Sequence, residues 1–381
     1  MKRMSRLLIA GFAAAVLAGC GSSSKNELPP AELEKFEAEV ELDRVWKRNI
    51  GVGQGKLYNT LVPALDGLRL YAADARGRVV AMDRDDGSVA WQVKLKEPLS
   101  GAVGTGGGRV LVGTLDGKVI ALDETDGSEV WRASVSSEVL APPQSNGDVV
   151  VVQTQDDKLF ALDISSGERR WLYESTQPVL TVRGHSTPVV SLRQVFAGLS
   201  SGRVVSVAAE NGIPIWEQQV AQPKGRSELE RMVDIDGKLV LDDRTLYAAS
   251  FQGNLAALDA ESGNQRWQHK ASSHGGPAVG FGSVYLSQAD GVVEAVDQGR
   301  GTTLWRNEDL QRRRLTAPVT FSSYVAVADF EGYVHLLAQT DGRMVGRVRV
   351  DRKGVRVAPI VVGDTLFVFG NSGDLVALKL D

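Results

Sequence analysis

The chain has 381 residues, with 43 Lys and Arg against 47 Asp and Glu, 41 glycines and one cysteine. A formal charge of −4 with no compensating basic stripe argues against nucleic acid as a partner, and a single cysteine excludes an internal disulfide. The many glycines, set in turn dipeptides at regular intervals, indicate an all-β chain.

Lys2, Arg3 and Arg6 precede an apolar run from Leu7 to Leu17, the layout of a secretory signal peptide and too short to cross a bilayer. Leu17-Ala18-Gly19-Cys20 resembles the bacterial lipobox, which implies removal of residues 1–19 and acylation of Cys20. Several acyl chains anchor stably where one is reversible. The processed chain keeps 40 basic and 47 acidic residues, a net of −7. By the same resemblance, Gly21 in place of an Asp points to the outer membrane, with the body facing the periplasm. Residues 20–41 read as the lipidated cysteine and a polar, flexible tether of roughly 65 Å when extended. A short amphipathic turn is expected at Leu33 and Phe36.

Residues 42–381 carry one pattern eight times. Gly77-Arg-Val-Val-Ala-Met-Asp83 is followed by copies starting at Gly117, Asp157, Gly202, Gly253, Gly291, Gly332 and Gly373, at steps of 40, 40, 45, 51, 38, 41 and 41 residues. That is the period of a four-stranded propeller blade. The predicted fold is a single eight-bladed β-propeller of antiparallel blades. Each Asp is followed four residues on by Gly and eight on by Trp, as in Asp83, Gly87 and Trp91. This spacing predicts a hairpin with Gly at the positive-φ position and Trp on the outer strand. The preceding strand is apolar on both faces, so neighbouring blades must cover it.

Trp91, Trp131, Trp171, Trp216, Trp267 and Trp305 share this one phase and are read as blade-to-blade packing. Trp46 stands before any repeat, while the last repeat reaches Asp381 before a Trp strand can follow. The N-terminal segment is therefore expected to supply the outer strand of the last blade. In the seventh repeat Gly346 replaces the Trp, which predicts one weakened contact.

Catalytic signals are sparse. His185, His269, His274 and His335 form no metal-ligand spacing. The stretch Gly101–Gly108 lacks the Lys-Ser/Thr of a phosphate loop and reads as a turn. The repeated hairpin aspartates are turn formers rather than acids or bases.

Spacing does mark a surface. From Trp to the next inner strand most connections run about ten to thirteen residues, but Trp171 to Pro188 takes 17 and Trp216 to Leu239 takes 23. Both are the same class of inter-blade connection and belong to consecutive blades, so they emerge side by side on one rim, where long loops on a rigid scaffold make a binding site.

Two resemblances follow from these residues. The Ala-Leu-Asp and Gly-x-x-x-Trp repeat is similar to the blades of pyrroloquinoline quinone dehydrogenases, but this chain is shorter, lacks their adjacent cysteine pair and shows no surplus polar constellation. No cofactor is expected. A quinone- or sugar-binding propeller is the alternative. Over its whole length the chain resembles the BamB family, lipoproteins of the machinery that folds β-barrels into bacterial outer membranes. That resemblance implies a non-enzymatic scaffold that binds a periplasmic POTRA domain of BamA and helps present unfolded barrel substrates. It also implies contact residues: Leu180-Thr-Val182-Arg183-Gly184 resembles the family's Leu-x-Leu-Arg-Gly segment, and Asp234-Ile-Asp236 its two aspartates one residue apart. Leu180, Val182 and Arg183 would meet the BamA surface, with Asp234 and Asp236 setting register by charge. The alternative is internal: Arg183 pairs with Asp234 or Asp236, and Leu180 and Val182 fill a small core beneath the loop.

Overall fold

Each repeat folds as its turn residues dictate. Asp83 Oδ1 accepts the Asp85 N–H at 2.8 Å, and the Gly87 N–H closes onto the Asp83 carbonyl at 2.9 Å. Gly87 sits at φ +68°, where a side chain is strained. The hairpin joins the third and fourth strands of a blade whose strands are Ala64–Asp66, Arg69–Ala73, Arg78–Asp83 and Val89–Lys94. Val79, Val80, Ala81 and Met82 are all buried, as a strand covered on both faces requires.

The computed structural model describes residues 28–381, Tyr58 and His185 excepted. The signal peptide, lipobox and Cys20 lie outside the described residues. Eight four-stranded antiparallel sheets follow one another around the ring. Blades 1 to 7 span residues 64–94, 104–134, 144–174, 189–219, 240–271, 278–307 and 319–349. Blade 8 takes three strands from 360–380 and its outer strand from Leu42–Asn49. That strand runs antiparallel to Asp374–Leu380, with Trp46 opposite Ala377 and Lys47 paired to Asp374 at 2.7 Å. The expected closure by the N-terminal segment is therefore observed.

The tryptophans join the blades. Each indole N–H donates to a backbone carbonyl in the next blade: Trp91 to Glu124, Trp131 to Ile164 and Trp171 to Ala209, each at 2.8 Å. Trp46, Trp216, Trp267 and Trp305 repeat the bond at 2.8–3.1 Å. The indole face lies on the next hairpin's Gly so closely that a Cβ on Gly127 would stand 2.6 Å from Trp91 Cε3. The periodic Gly thus serves both the turn and the adjoining ring.

Gly346 has a different explanation from the weakened contact expected of it. Blade 8 has no third-to-fourth hairpin, because its outer strand is Leu42–Asn49, so a Trp at residue 346 would have no hairpin to pack on. The place is taken by main chain: the Glu39 and Val40 N–H groups donate to the Val345 carbonyl at 2.9 and 3.2 Å, and a Cβ on Gly346 would lie 2.8 Å from the Val40 carbonyl.

The compact unit begins at Ala31 rather than at residue 42. Ala31 and Arg313 bond through Arg313 Nη1 and the Ala31 carbonyl at 2.9 Å, and the Ala31 N–H reaches the Gln311 carbonyl at 3.0 Å. Leu33 joins the cluster around Trp305 and Leu310. Arg347 lies over the Phe36 ring at 4.9 Å, and Arg343 holds Glu39 through two 2.9 Å bonds. Residues 31–41, expected to belong to the tether, are seated along blade 7. Leu33 and Phe36 contact the body, and the short turn expected there is absent: their backbone is neither helix nor turn.

Candidate partner-docking rim

Strand alternation fixes which turns share a rim. The inter-blade connections and the turns between second and third strands lie on one side of the ring, and the Asp-Gly hairpins on the other. The two long connections, residues 175–188 and 220–239, flank blade 4 on the connection rim.

They are braced against each other. The Val182 N–H donates to Asp234 Oδ1 at 2.8 Å, and Ser186 Oγ donates to the Gly237 carbonyl at 3.1 Å. Gly184 passes so close to Asp236 that an added Cβ would sit 3.5 Å from its Cγ. The carboxylates therefore do not lie at the surface as charges for a partner. Asp234 is 0% exposed and Asp236 partly buried. Asp234 is a positioning residue, holding the main chain of the first loop from beneath.

Arg183 pairs with neither aspartate. Its Nη1 meets Glu138 Oε2 at 2.9 Å, from the connection between blades 2 and 3. The Arg183 side chain remains 44% exposed. A pair this exposed contributes about 0–1 kcal/mol, so a partner's carboxylate could replace Glu138 at little cost. Leu180 is 40% and the adjacent Val179 92% exposed, so this stretch is not a small core; Val182 is half-buried. Leu229, on the second loop, is also exposed. The rim presents aliphatic side chains beside one exchangeable guanidinium, the make-up of an interface anchor.

A third carboxylate completes the interior of the site. Asp157 replaces the repeat's Gly at the second-to-third turn of blade 3, at φ +57°, and accepts from Ser200 N–H at 3.0 Å and Ser200 Oγ at 3.2 Å. Burial pushes Asp157 up to about 6, aided by the charge of Asp234. Burial likewise pushes Asp234 up to about 6 against the Val182 N–H. Asp236 is raised well above the usual carboxylate range by burial and then by Asp234 and Asp157. One oxygen of Asp234 and one of Asp236 find no hydrogen-bond partner. The repeat carried the signal for Asp157, an Asp where seven copies have Gly. Nothing local marked Glu138, which comes from another blade.

Among the described residues no group of three or more His, Cys, Asp or Glu side chains is arranged to hold a metal ion. His335 and His269 are each committed to a carboxylate, Asp329 and Glu294, at 3.0 Å.

A family profile described as outer membrane protein assembly factor BamB matches residues 75–291 and 289–381. The chain is 63% identical over 367 residues to the Pseudomonas aeruginosa outer membrane protein assembly factor BamB, covering 96% of this chain and 97% of that one. The crystal structure of BamB from Moraxella catarrhalis superposes with a TM-score of 0.81 at 32% identity, covering 89% of this chain and 99% of that one. A quinohemoprotein alcohol dehydrogenase from Pseudomonas putida shares the fold alone, with a TM-score of 0.71 at 14% identity over 89% of this chain and 76% of that one.

Proposed function

The chain belongs to the BamB family, non-enzymatic factors of outer membrane protein assembly, and from that membership we propose that its two braced rim loops dock the periplasmic POTRA region of BamA. The observation that carries this reading is the exposed Val179–Leu180 pair beside the exchangeable Arg183, on loops that Asp234 fixes from inside. Pre-ordered loops lose little conformational entropy on association, which favours a stable contact on a rigid adaptor. Leu180, Val182 and Arg183 form the contact; Asp234 acts by holding the Val182 main chain, with Asp236 packed beneath Gly184.

The adaptor is tethered by acylated Cys20 to the inner leaflet of the outer membrane and offers incoming barrel strands its free outer blade edges. Mass spectrometry of the N-terminal peptide tests the anchor: a diacylglyceryl thioether on Cys20 is expected, and an unmodified thiol rejects it.

Co-purification of BamA POTRA domains tests the docking site. Wild type should capture them, and Arg183→Ala and Leu180→Ala should lose capture with unchanged melting temperatures. Capture by all three moves the site elsewhere, and no capture by wild type rejects the adaptor reading.

A further inference from the structure

The connection rim carries cations at two places. The docking loops stand over Asp157, Asp234 and Asp236 and hold exposed Lys224, Arg226 and Arg231 beside exposed Glu228 and Glu230; the arc from blade 7 round to blade 1 is lined by cations with fewer exposed acids among them. Arg314 lies on the connection between blades 6 and 7, Arg352 and Lys353 on that between blades 7 and 8, Lys56 on that between blades 8 and 1, and Arg76 on the second-to-third turn of blade 1. All five are exposed, and among the described residues none has a carboxylate within ion-pair distance.

Three acids of the same arc, Asp329, Asp351 and Asp74, are turned inward, whereas Glu32, beside Ala31, is exposed. Asp329 is spent on Arg313 and His335. Asp351 accepts from Ser372 and from the Lys353 N–H, and Asp74 from the Arg76 and Arg78 N–H groups. Glu331, its side chain 43% exposed, is paired to Arg313. Glu308 and Asp309, both exposed, stand at the start of the connection that carries Arg314. A contiguous run of bonds joins its parts: Arg356 Nη1 donates to the Leu57 carbonyl at 3.1 Å and Nε to Asn371 Oδ1 at 3.0 Å, while Asn371 Nδ2 donates to the Lys353 carbonyl at 2.8 Å. Two apolar side chains stand among the cations, Phe330 at 37% and Leu57 at 53% exposure.

The seated N-terminal segment gives this arc its place. Ala31 is fixed at Gln311 and Arg313, on the same rim and at the edge of the arc. Only 11 residue steps separate it from Cys20, at most roughly 40 Å of extended chain. We propose that the arc carrying Arg314, Arg352, Lys353, Lys56 and Arg76 around Phe330 is a membrane-apposed surface that takes the anionic headgroups of phospholipids. The nearness to the bilayer rests on the acylation of Cys20. The charge and the apolar tips do not.

Cations clustered beside exposed apolar side chains bind anionic bilayers by combining Coulomb attraction with shallow insertion. The processed chain is net negative, with 40 basic residues against 47 acidic, so its overall charge predicts repulsion from such a bilayer. Attraction would therefore identify the patch.

All eight blades and the seated segment lie within residues 31–381, so a chain starting at Gly21 keeps the whole ring and has no lipid. It should co-sediment with vesicles of phosphatidylglycerol and phosphatidylethanolamine at least tenfold more than with phosphatidylcholine vesicles, and should be released by added salt. Reversing three cations together in Arg314→Glu/Arg352→Glu/Lys353→Glu should lower vesicle affinity by roughly a hundredfold at unchanged melting temperature. Lys224→Glu/Arg231→Glu, on the docking side, should change it less than twofold. If the triple variant does not fold, Phe330→Ser and the salt dependence of the wild type provide the same reading. Equal binding to both kinds of vesicle, or undiminished binding of the folded triple variant, overturns the proposal. Binding to neither overturns it and leaves the arc to an acidic protein surface. Because this chain carries no lipid, failure here leaves the acylation of Cys20 standing, and an unmodified Cys20 leaves this test unaffected.

Discussion

His335 Nδ1 accepts the Nε–H of Arg347 at 3.1 Å while its Nε2 lies 3.0 Å from Asp329. A guanidinium can only donate, so the ring is neutral with its proton on Nε2, bonded to the Asp329 carboxylate. Arg347 in turn holds the Glu34 carbonyl at 3.1 Å and covers Phe36, which couples one buried imidazole to the seated N-terminal segment.

Acidification should therefore loosen that segment. Burial holds His335 below its ordinary value of 6.5, with the Arg347 and Arg313 charges acting in the same direction against Asp329. The folded state keeps the neutral ring, so its stabilisation is complete above 6.5 and is lost as pH falls through the depressed folded value. Hydrogen exchange at the Ala31, Glu39 and Val40 amides, corrected for intrinsic rates, should be faster at pH 5 than at pH 7.5. Equal protection at both values would uncouple the ring from the segment.

The carboxylates under the docking loops act in the opposite direction. Asp157 and Asp234 titrate at about 6 and Asp236 well above its ordinary value, so the folded state binds more protons than the unfolded chain. Their contribution is complete below the ordinary carboxylate value and is lost as pH rises through the folded values. Asp236→Asn should stabilise the protein by about 1 kcal/mol at pH 8 and flatten this part of the pH profile. Denaturant melts at pH 5 and pH 8 measure both effects.

Arg183 and Asp234 should separate contact from support. Arg183→Ala removes an exposed pair and should change stability by less than about 0.5 kcal/mol. Asp234→Ala orphans the Val182 N–H and unbraces two loops, at a cost of about 1–3 kcal/mol. Urea denaturation of both variants distinguishes the two roles.

The Trp and Gly of neighbouring blades should behave as one unit. Trp131→Ala should cost about 3–5 kcal/mol through lost packing and the bond to Ile164. Gly167→Ala would set a Cβ 2.6 Å from Trp131 Cε3 at φ +73°, and should cost about 1–3 kcal/mol. The double variant should cost less than the sum, as measured in a double-mutant cycle.

Restoring the repeat at its one exception should fail. Gly346→Trp would displace the Val40 main chain and has no opposing hairpin to pack on. We expect a loss of about 1–3 kcal/mol and faster proteolysis between residues 31 and 41. A stabilised variant would show that the position tolerates the indole.

The ring was legible because its determinants are local and recur. Asp83, Gly87 and Trp91 lie within nine residues and recur at steps of 38 to 51 residues, and Trp46 announced the closure by lacking a repeat of its own. The two long loops were legible as departures from that period. What could not be read depends on which distant segments meet. Glu138 reaches Arg183 from another blade, Val40 fills the place at Gly346 because the outer strand of blade 8 comes from Leu42–Asn49 rather than from a hairpin, and residues 31–41 carry too few apolar side chains to announce a seat provided by Arg313, Arg343 and Arg347. Asp234 and Asp236 looked like surface charges because their pattern does not reveal that Val182 and Gly184 pass over them.

The seated segment also has a mechanical meaning. Leu42–Asn49 closes the ring, so a force pulling on the N-terminus could peel that strand from its partner and open the propeller at its seam. Such a force meets Arg313, Arg347 and Arg343 first, at Ala31, Glu34 and Glu39. Those contacts act as a strain relief, yielding one by one before any load reaches the strand on which the circle depends.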